Sequence, residues 1–456
     1  MNAPPMKAAA FVRPWLIFAL VAGAIELAYF WPAVTEGRVM VAADILFGVP
    51  PWNARPPDGF VTSKNGLLGD VPMLVYPYLS FAVDAVRRGE FPLWDAGTYA
   101  GHPFFAAGQS AVLSPFTAIA YLAGLPHATT LMAAAKIAVG GAGMFALAGS
   151  LGIGWQAALV AGVAFLLNPF AMVWLEHPLS GVVAWLPWLL WATERQSQAP
   201  SFGRASLTAL VVAACIFGGH PETAFKVLLV GAAYAAVRSL SRPRPIRSLA
   251  VGVASYAAGL LLAMVQVLPF VEYLTQSPAW TARQDFPLNP YVAPARTAIT
   301  ALVPDFFGNP STASYALTNY NYCEQQAYAG MAVWILAAVG MVTARRDPRA
   351  RFFAFVLALS LALKYGLPGV LHVASALPLL HSTSLSRFGL IAVTAAIVLA
   401  GYGVKAALIP GGRSAAVAAT TAAVCAVAAI AVAYGAEVPF LETAGLVART
   451  RLYATL

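Results

Sequence analysis

Residues 69–115 read GDVPMLVYPYLSFAVDAVRRGEFPLWDAGTYAGHPFFAAGQSAVLSP. Most of the chain around this stretch is apolar, yet here acids, aromatics, a histidine, a glutamine and several Gly and Pro breaks stand together. Whether the stretch crosses a membrane, lies along it or stands outside it sets the topology of every segment that follows.

The surrounding composition makes a membrane the medium. Of 456 residues, 60% are hydrophobic and only 10% are charged, against roughly 25% charged in an ordinary soluble domain. Apolar runs near 20 residues recur, which points to helices and not to a barrel, whose strands alternate every second residue. A net charge of +9 would suggest nucleic acid in a soluble protein. Here the basic residues sit in short loops and orient the helices, so no nucleic-acid partner is expected. Cys215, Cys323 and Cys425 make no pair or CxxC spacing; neither a disulfide framework nor a metal site follows.

Lys7 and Arg13 precede an apolar run from Trp15 to Ala33. Its length, its aromatic end at Tyr29, Phe30 and Trp31, and the lack of a small-x-small cleavage site make it a first transmembrane helix and not a signal peptide. Glu26 inside it is the kind of intramembrane acid that is costly and often functional. Residues 34–126 form a first long loop, in which 112–125, flanked by Ser114-Pro115 and Pro126, reads as an interfacial or re-entrant helix. Further spans are expected at 127–149, 155–174, 179–193, 206–218, 222–237, 248–274, 328–344, 351–364, 387–408 and 414–434, about 11 in all.

The N-terminus and the loops 194–205, 238–247, 345–351 and 405–413 then share one side. They are rich in Arg and Lys, and Glu194 and Asp347 are their only acids. By the positive-inside rule this side is cytoplasmic. The count works only if 112–125 does not span. The opposite side collects loop 34–126, the turns at Glu176-His177-Pro178 and Gly218-Gly219-His220-Pro221-Glu222, the second long loop 275–327, and 365–386. The fold class is therefore an all-α polytopic integral membrane protein. One transmembrane domain covers 1–434, and a short extracytoplasmic tail covers 435–456.

Within the opening stretch, Asp70 has two compatible readings. It caps a helix that begins with Pro72, or it is a reactive carboxylate. Leu74, Tyr78 and Phe81 share one face, Asp84, Arg87 and Arg88 are more polar, and Gly89 marks a stop. Such a helix lies along the membrane surface, with Pro77 kinking it or moving its start. Trp94 suits an interfacial anchor. Gly101-His102-Pro103-Phe104 and Gln109 add a turn and polar groups. A lone histidine on such a loop is more often structural; the signal is that five polar pieces converge on one side.

These strings carry a resemblance. Gly69-Asp70, Tyr76-Pro77, Gly89-Glu90-Phe91-Pro92-Leu93-Trp94, Gly101-His102-Pro103-Phe104, Gln109 and Ser114-Pro115 resemble the amino-terminal signature of the YfhO-type bacterial membrane proteins. Those belong with the GT-C superfamily of glycosyltransferases. Glu176-His177-Pro178, Gly218-Gly219-His220-Pro221-Glu222-Thr223-Ala224 and Ser384-Leu385-Ser386-Arg387-Phe388 extend the similarity, which covers about residues 15–405. Long members of the family continue into a further outer domain and a last helix, whereas this chain stops near Leu456, as a short form or a truncated product would.

The resemblance implies a GT-C-like bundle in a bacterial cytoplasmic (inner) membrane, with a cytoplasmic N-terminus and an extracytoplasmic active site. It implies a sugar transferase whose donor is a sugar on a polyprenyl phosphate and whose acceptor is an envelope glycan or lipid. GT-C enzymes use an acid of the first outer loop; Asp70 matches it by position, and Asp44 is the runner-up. The chemistry needs a base for the acceptor hydroxyl and cationic donors for the leaving phosphate. Arg387 is the first candidate for the phosphate. His177 and His220 are candidates for hydrogen bonds to phosphate or sugar, Glu222 for sugar hydroxyls, and His102 and Gln109 for further substrate contacts. Some relatives in the superfamily use a divalent metal, but Asp70 and Asp44 form no metal motif and no metal site is assigned. A lipid or polysaccharide transporter or flippase, and a non-catalytic envelope-assembly subunit, stand as alternatives.

Overall fold

The computed structural model describes residues 8–409, apart from positions 99, 313, 318 and 319. The expected last span, 414–434, and the tail 435–456 lie outside the described residues. Among those residues the regular structure is helical, and strand pairing is limited to one bridge between Asp95 and His102. The principal helices are α1 (Ala8–Tyr29), α2 (Tyr76–Arg87), α3 (His127–Ser150), α4 (Trp155–Leu166), α5 (Pro178–Val183), α6 (Leu186–Gln198) and α7 (Phe202–Phe217). They continue with α8 (Pro221–Leu240), α9 (Pro245–Leu262), α10 (Met264–Thr275), α11 (Pro278–Gln284), α12 (Met331–Thr343), α13 (Pro348–Lys364) and α14 (Gly389–Leu408).

Seven helical stretches among the described residues are long and apolar enough to cross a membrane, or eight if α13 and the helix Pro368–Ser375, bent by 83°, count as one span. The protein is thus a polytopic helical chain of membrane type. The expected span 179–193 is broken between α5 and α6, and the expected 248–274 is broken at Ala263 into α9 and α10. Both breaks fall in uniformly apolar sequence, so hydropathy does not register them. The expected spans 206–218 and 328–344 correspond to α7 and α12, apolar helices shorter than a full crossing. Conversely, Gly66–Arg87 is a continuous helical stretch that passes the same test of length and hydropathy, where the sequence reading has a surface helix. Residues 112–125 hold only the short helix Thr117–Ala123.

Several boundaries follow from local chemistry. Asp347 accepts the N–H of Arg349 at 2.8 Å and Pro348 fills the first turn of α13, the usual N-terminal pairing of a cap and a proline. Ser201 caps α7 through the N–H of Arg204. Pro221 opens α8, with His220 as its cap.

The core is organised by α14, whose residues from Gly389 to Gly403 are all buried. It packs on α12, α13 and α4. A Cβ on Gly340 would meet the carbonyl of Leu399, and one on Gly403 the carbonyl of Leu336. Helices α12 and α14 therefore cross in near backbone contact, as small residues permit between helices in lipid.

The two ends of the bundle differ in chemistry. At one end the basic loops meet. Glu194, fully buried, accepts from Arg238 at 2.6 and 3.0 Å and from Tyr234 at 2.8 Å. Arg349 approaches Glu194 to 3.8 Å, Gln198 donates to the Ser150 carbonyl, and Lys405 donates to the Gly152 carbonyl. The cavity described next gathers the other set of loops.

Candidate functional site

The site begins at Asp70. Pro77 has no N–H to give, so the helical ladder cannot run regularly through this turn. The chain widens into a π turn, Val71–Val75, in which the N–H of Tyr76 bonds the Val71 carbonyl. Such bulges often mark functional positions. Asp70 precedes this turn with helical φ and ψ, and its side chain makes no capping bond. The N-cap reading of Asp70 is therefore corrected: the carboxylate makes no hydrogen bond or ion pair among the described residues, and it lines a cavity of about 550 Å³.

The two His-Pro turns line the same cavity. Pro178 and Pro221 each start a helix, leaving His177 and His220 at the mouth. The turns are pressed together. A Cβ on Gly218 would sit 2.9 Å from the Val182 nitrogen, and one on Gly219, at φ +87°, would collide with Ala111 of the opening stretch. Only glycine permits this approach together with that left-handed backbone. Gly219 thus lets loop 69–115 close on the turns and brings Gln109 into the cavity lining beside them.

Arg387 is the hub of the polar wall. Its Nε donates to Glu324 Oε1 at 2.8 Å, and its Nη2 lies 2.7 Å from the same oxygen. Its Nη1 lies 3.2 Å from His220 Nε2 and 3.4 Å from Glu222 Oε2. The guanidinium also stacks over Trp174, 5.2 Å from the ring, a cation–π geometry. Glu222 is saturated by comparison. It accepts from the fully buried Lys226 at 2.5 Å and from the Ser384 N–H at 2.9 Å, and Arg283 stands 3.9 Å away. Glu222 therefore holds cations in place, and Asp70 is the carboxylate left free.

Both histidines are neutral rings at neutral pH. Burial lowers His177 to about 4; the Asp70 carboxylate pulls the other way, and Lys136 and Arg387 add to the lowering. Burial and the adjacent Arg387 lower His220 to about 3. The Nδ1 of His220 faces the Thr223 N–H at 3.2 Å while its Nε2 faces Arg387. A neutral imidazole accepts at one nitrogen only, so one of these contacts sets donor against donor. The indole N–H of Trp174 and Nδ1 of His177 are buried with no hydrogen-bond partner among the described residues.

No protein-family model, curated protein or solved structure matches this chain.

Of the residues singled out in sequence, Asp70, Gln109, His177, His220, Glu222 and Arg387 line this one cavity. Asp44 and His102 are not in its lining. Asp44 accepts the backbone N–H of Lys64 at 2.7 Å. His102 pairs with Asp95 through the backbone bridge and meets the Tyr78 hydroxyl at 3.1 Å while stacking on that ring. Both serve their own loop. Glu324, Lys226, Arg283 and Trp174 are the residues that sequence reasoning passed over. A buried lysine one turn after Glu222 is the one available signal among them; Glu324 is one polar residue of a long loop until Arg387 finds it.

Among the described residues no three His, Cys, Asp or Glu side chains gather as a metal site needs. Asp44 stands apart and the Glu222 oxygens are occupied by cations, so the residues do not fit a divalent metal. The remaining wall is apolar. Phe270 and Leu274 of α10 line the cavity, while Val265, Leu268 and Val271 of the same helix are exposed on the bundle surface. One helix thus separates the polar wall from an exposed apolar exterior.

Proposed function

We propose that the protein is a membrane glycosyltransferase of the GT-C type, moving a sugar from a polyprenyl-phosphate donor to an envelope acceptor on the extracytoplasmic face of a bacterial inner membrane. The observation that carries this reading is one cavity whose lining includes both a free carboxylate, Asp70, and the pair Arg387 and His220, together with residues of an apolar helix. The resemblance to YfhO-type proteins supports the same chemistry. The excess of Arg and Lys at the opposite end of the bundle supports the orientation.

In this mechanism the polyprenyl chain lies against α10, and its phosphate sits at Arg387. A phosphate oxygen between Arg387 and His220 would accept from both and turn a donor facing a donor into two charge-assisted bonds. Asp70 takes the proton of the acceptor hydroxyl as that oxygen bonds to the anomeric carbon. The bond from that carbon to the phosphate oxygen breaks, and the electron pair leaves with the phosphate. Arg387 and the His220 N–H stabilise the growing charge. Glu324 and Glu222 hold Arg387 in place, and Gln109 and His177 are left for sugar hydroxyls.

The test uses the purified full-length protein in lipid vesicles, supplied with polyprenyl-phosphate sugar labelled in the sugar and an envelope extract as acceptor. The expected result is label leaving the lipid for the acceptor fraction. Movement of intact donor from one leaflet to the other, with no sugar released, would establish a flippase in its place.

A further inference from the structure

Besides Lys226, which pairs with Glu222, two more lysines are buried in the apolar bundle. Lys136 lies in the middle of α3 and Lys364 ends α13; both are buried, Lys364 completely. An ammonium in such surroundings is costly and is retained with a partner or a purpose. Among the described residues neither is hydrogen-bonded to a carboxylate. The Nζ of Lys136 donates to the carbonyls of Leu175 and His177, at 3.1 and 3.2 Å. The Nζ of Lys364 donates to the carbonyls of Glu324 and Ser386, at 2.8 and 3.2 Å. The same device occurs twice, on unrelated helices.

The four carbonyls are specific ones. Those held by Lys136 bracket the first His-Pro turn, which carries Trp174 and His177. Those held by Lys364 belong to the two strands of chain that carry Glu324 and Arg387. The ring of His177 meets Trp174 edge-on at 5.2 Å, and Arg387 stacks on Trp174, so the two clamped units touch each other across the polar wall. The turn at 175–177 also has a tie of its own, because the Ser180 hydroxyl lies 2.9 and 2.7 Å from the same two carbonyls and shares its one proton between them. What Lys136 adds is a tie between this turn and α3. Room for the second clamp is kept by Gly389, where a Cβ would stand 3.4 Å from Lys364 Cδ and 2.8 Å from the Gln326 carbonyl.

We propose that Lys136 and Lys364 are positioning residues, each using one buried amino group to hold the backbone that carries one half of the cavity's polar wall. As positioning of a site, this rests on the transferase reading; the backbone ties themselves do not. A displacement of the order of 1 Å in such a wall costs about 10²-fold in rate, and that is the effect expected at kcat, with KM changed only a few-fold.

The experiment compares full-length wild type with Lys136→Met and Lys364→Met, and with the Lys→Arg variants, by hydrogen–deuterium exchange and by the vesicle transfer assay. Lys136→Met should speed exchange about 10-fold or more across 172–180 and leave 384–388 at the wild-type rate. Lys364→Met should do the reverse, with the global unfolding midpoint little moved in either. Lys→Arg should restore slow exchange and most of kcat. Equal exchange in wild type and the Met variants, or a kcat unchanged by them, overturns the proposal. If a Met variant does not fold, Lys→Gln is read by the same criteria. If wild type itself transfers no sugar, the transferase reading fails, while the exchange pattern still decides whether the lysines hold these segments.

Discussion

Replacing Glu222 should be among the most damaging changes in the molecule, and the size of the effect can be worked out. Lys226 is fully buried, and among the described residues the carboxylate it contacts is Glu222 at 2.5 Å, one helical turn away. Glu222→Gln leaves that ammonium against a neutral amide. Breaking a buried pair from one side costs about 3–5 kcal/mol. Glu222 is 17% exposed and Arg387 keeps Glu324, so the lower end, about 3 kcal/mol, is expected. Lys226→Met is milder. Glu222 then retains the Ser384 N–H, Arg387 and Arg283, and the loss should be about 1–2 kcal/mol. The double variant removes both charges together and should be about 2 kcal/mol more stable than the two single losses combined. Unfolding by SDS in mixed micelles would measure all three. Additivity within about 0.5 kcal/mol, the behaviour of independent sites, would refute the pairing.

Three further outcomes are expected. His177 is held near 4 against an ordinary 6.5, so the unfolded chain takes up its proton first as pH falls. Its contribution to stability is complete above pH 6.5 and is lost progressively toward pH 4, by up to about 3 kcal/mol; His177→Asn should flatten that part of an unfolding–pH profile, and an unchanged slope would contradict the assignment. Glu194→Gln leaves buried Arg238 without its counter-charge and should cost about 3–5 kcal/mol, while sugar transfer by the folded fraction stays at the wild-type rate, because Glu194 sits at the opposite end of the bundle; a fall in that rate would show the two ends to be coupled. In intact cells an impermeant maleimide should label Ser311→Cys directly and Arg244→Cys only after permeabilisation, and the reverse pattern would invert the topology.

The parts of this site legible in the sequence are those written in local punctuation. Asp70 ahead of Pro72, the two His-Pro turns, and Arg387 at the mouth of an apolar helix all announce themselves by residue type and position, and they line one cavity. Asp44 and His102 announce themselves equally well, but the partners they find lie nearby, the Lys64 N–H for the first and Tyr78 and Asp95 for the second. Nothing in their spacing separates the two cases. Glu324 was not legible, because its role depends on Arg387, 63 residues away in sequence. Lys136 and Lys364 were hidden for the same reason: their partners are backbone carbonyls, which carry no sequence signature. The expected spans 179–193 and 248–274 break where apolar runs are interrupted without a polar residue, at Ala184–Trp185 and Ala263, since hydropathy measures the medium and not the continuity of the helix.

The central claim is that Asp70 takes the acceptor's proton. The direct measurement is sugar transfer by purified Asp70→Asn, an isosteric change at a carboxylate that makes no capping bond, nor any other hydrogen bond among the described residues. Its unfolding midpoint and its affinity for polyprenyl phosphate should stay near wild type, while the transfer rate falls by about 10²–10⁴-fold, the usual contribution of a general base. Transfer at the wild-type rate by a well-folded Asp70→Asn protein would contradict the account.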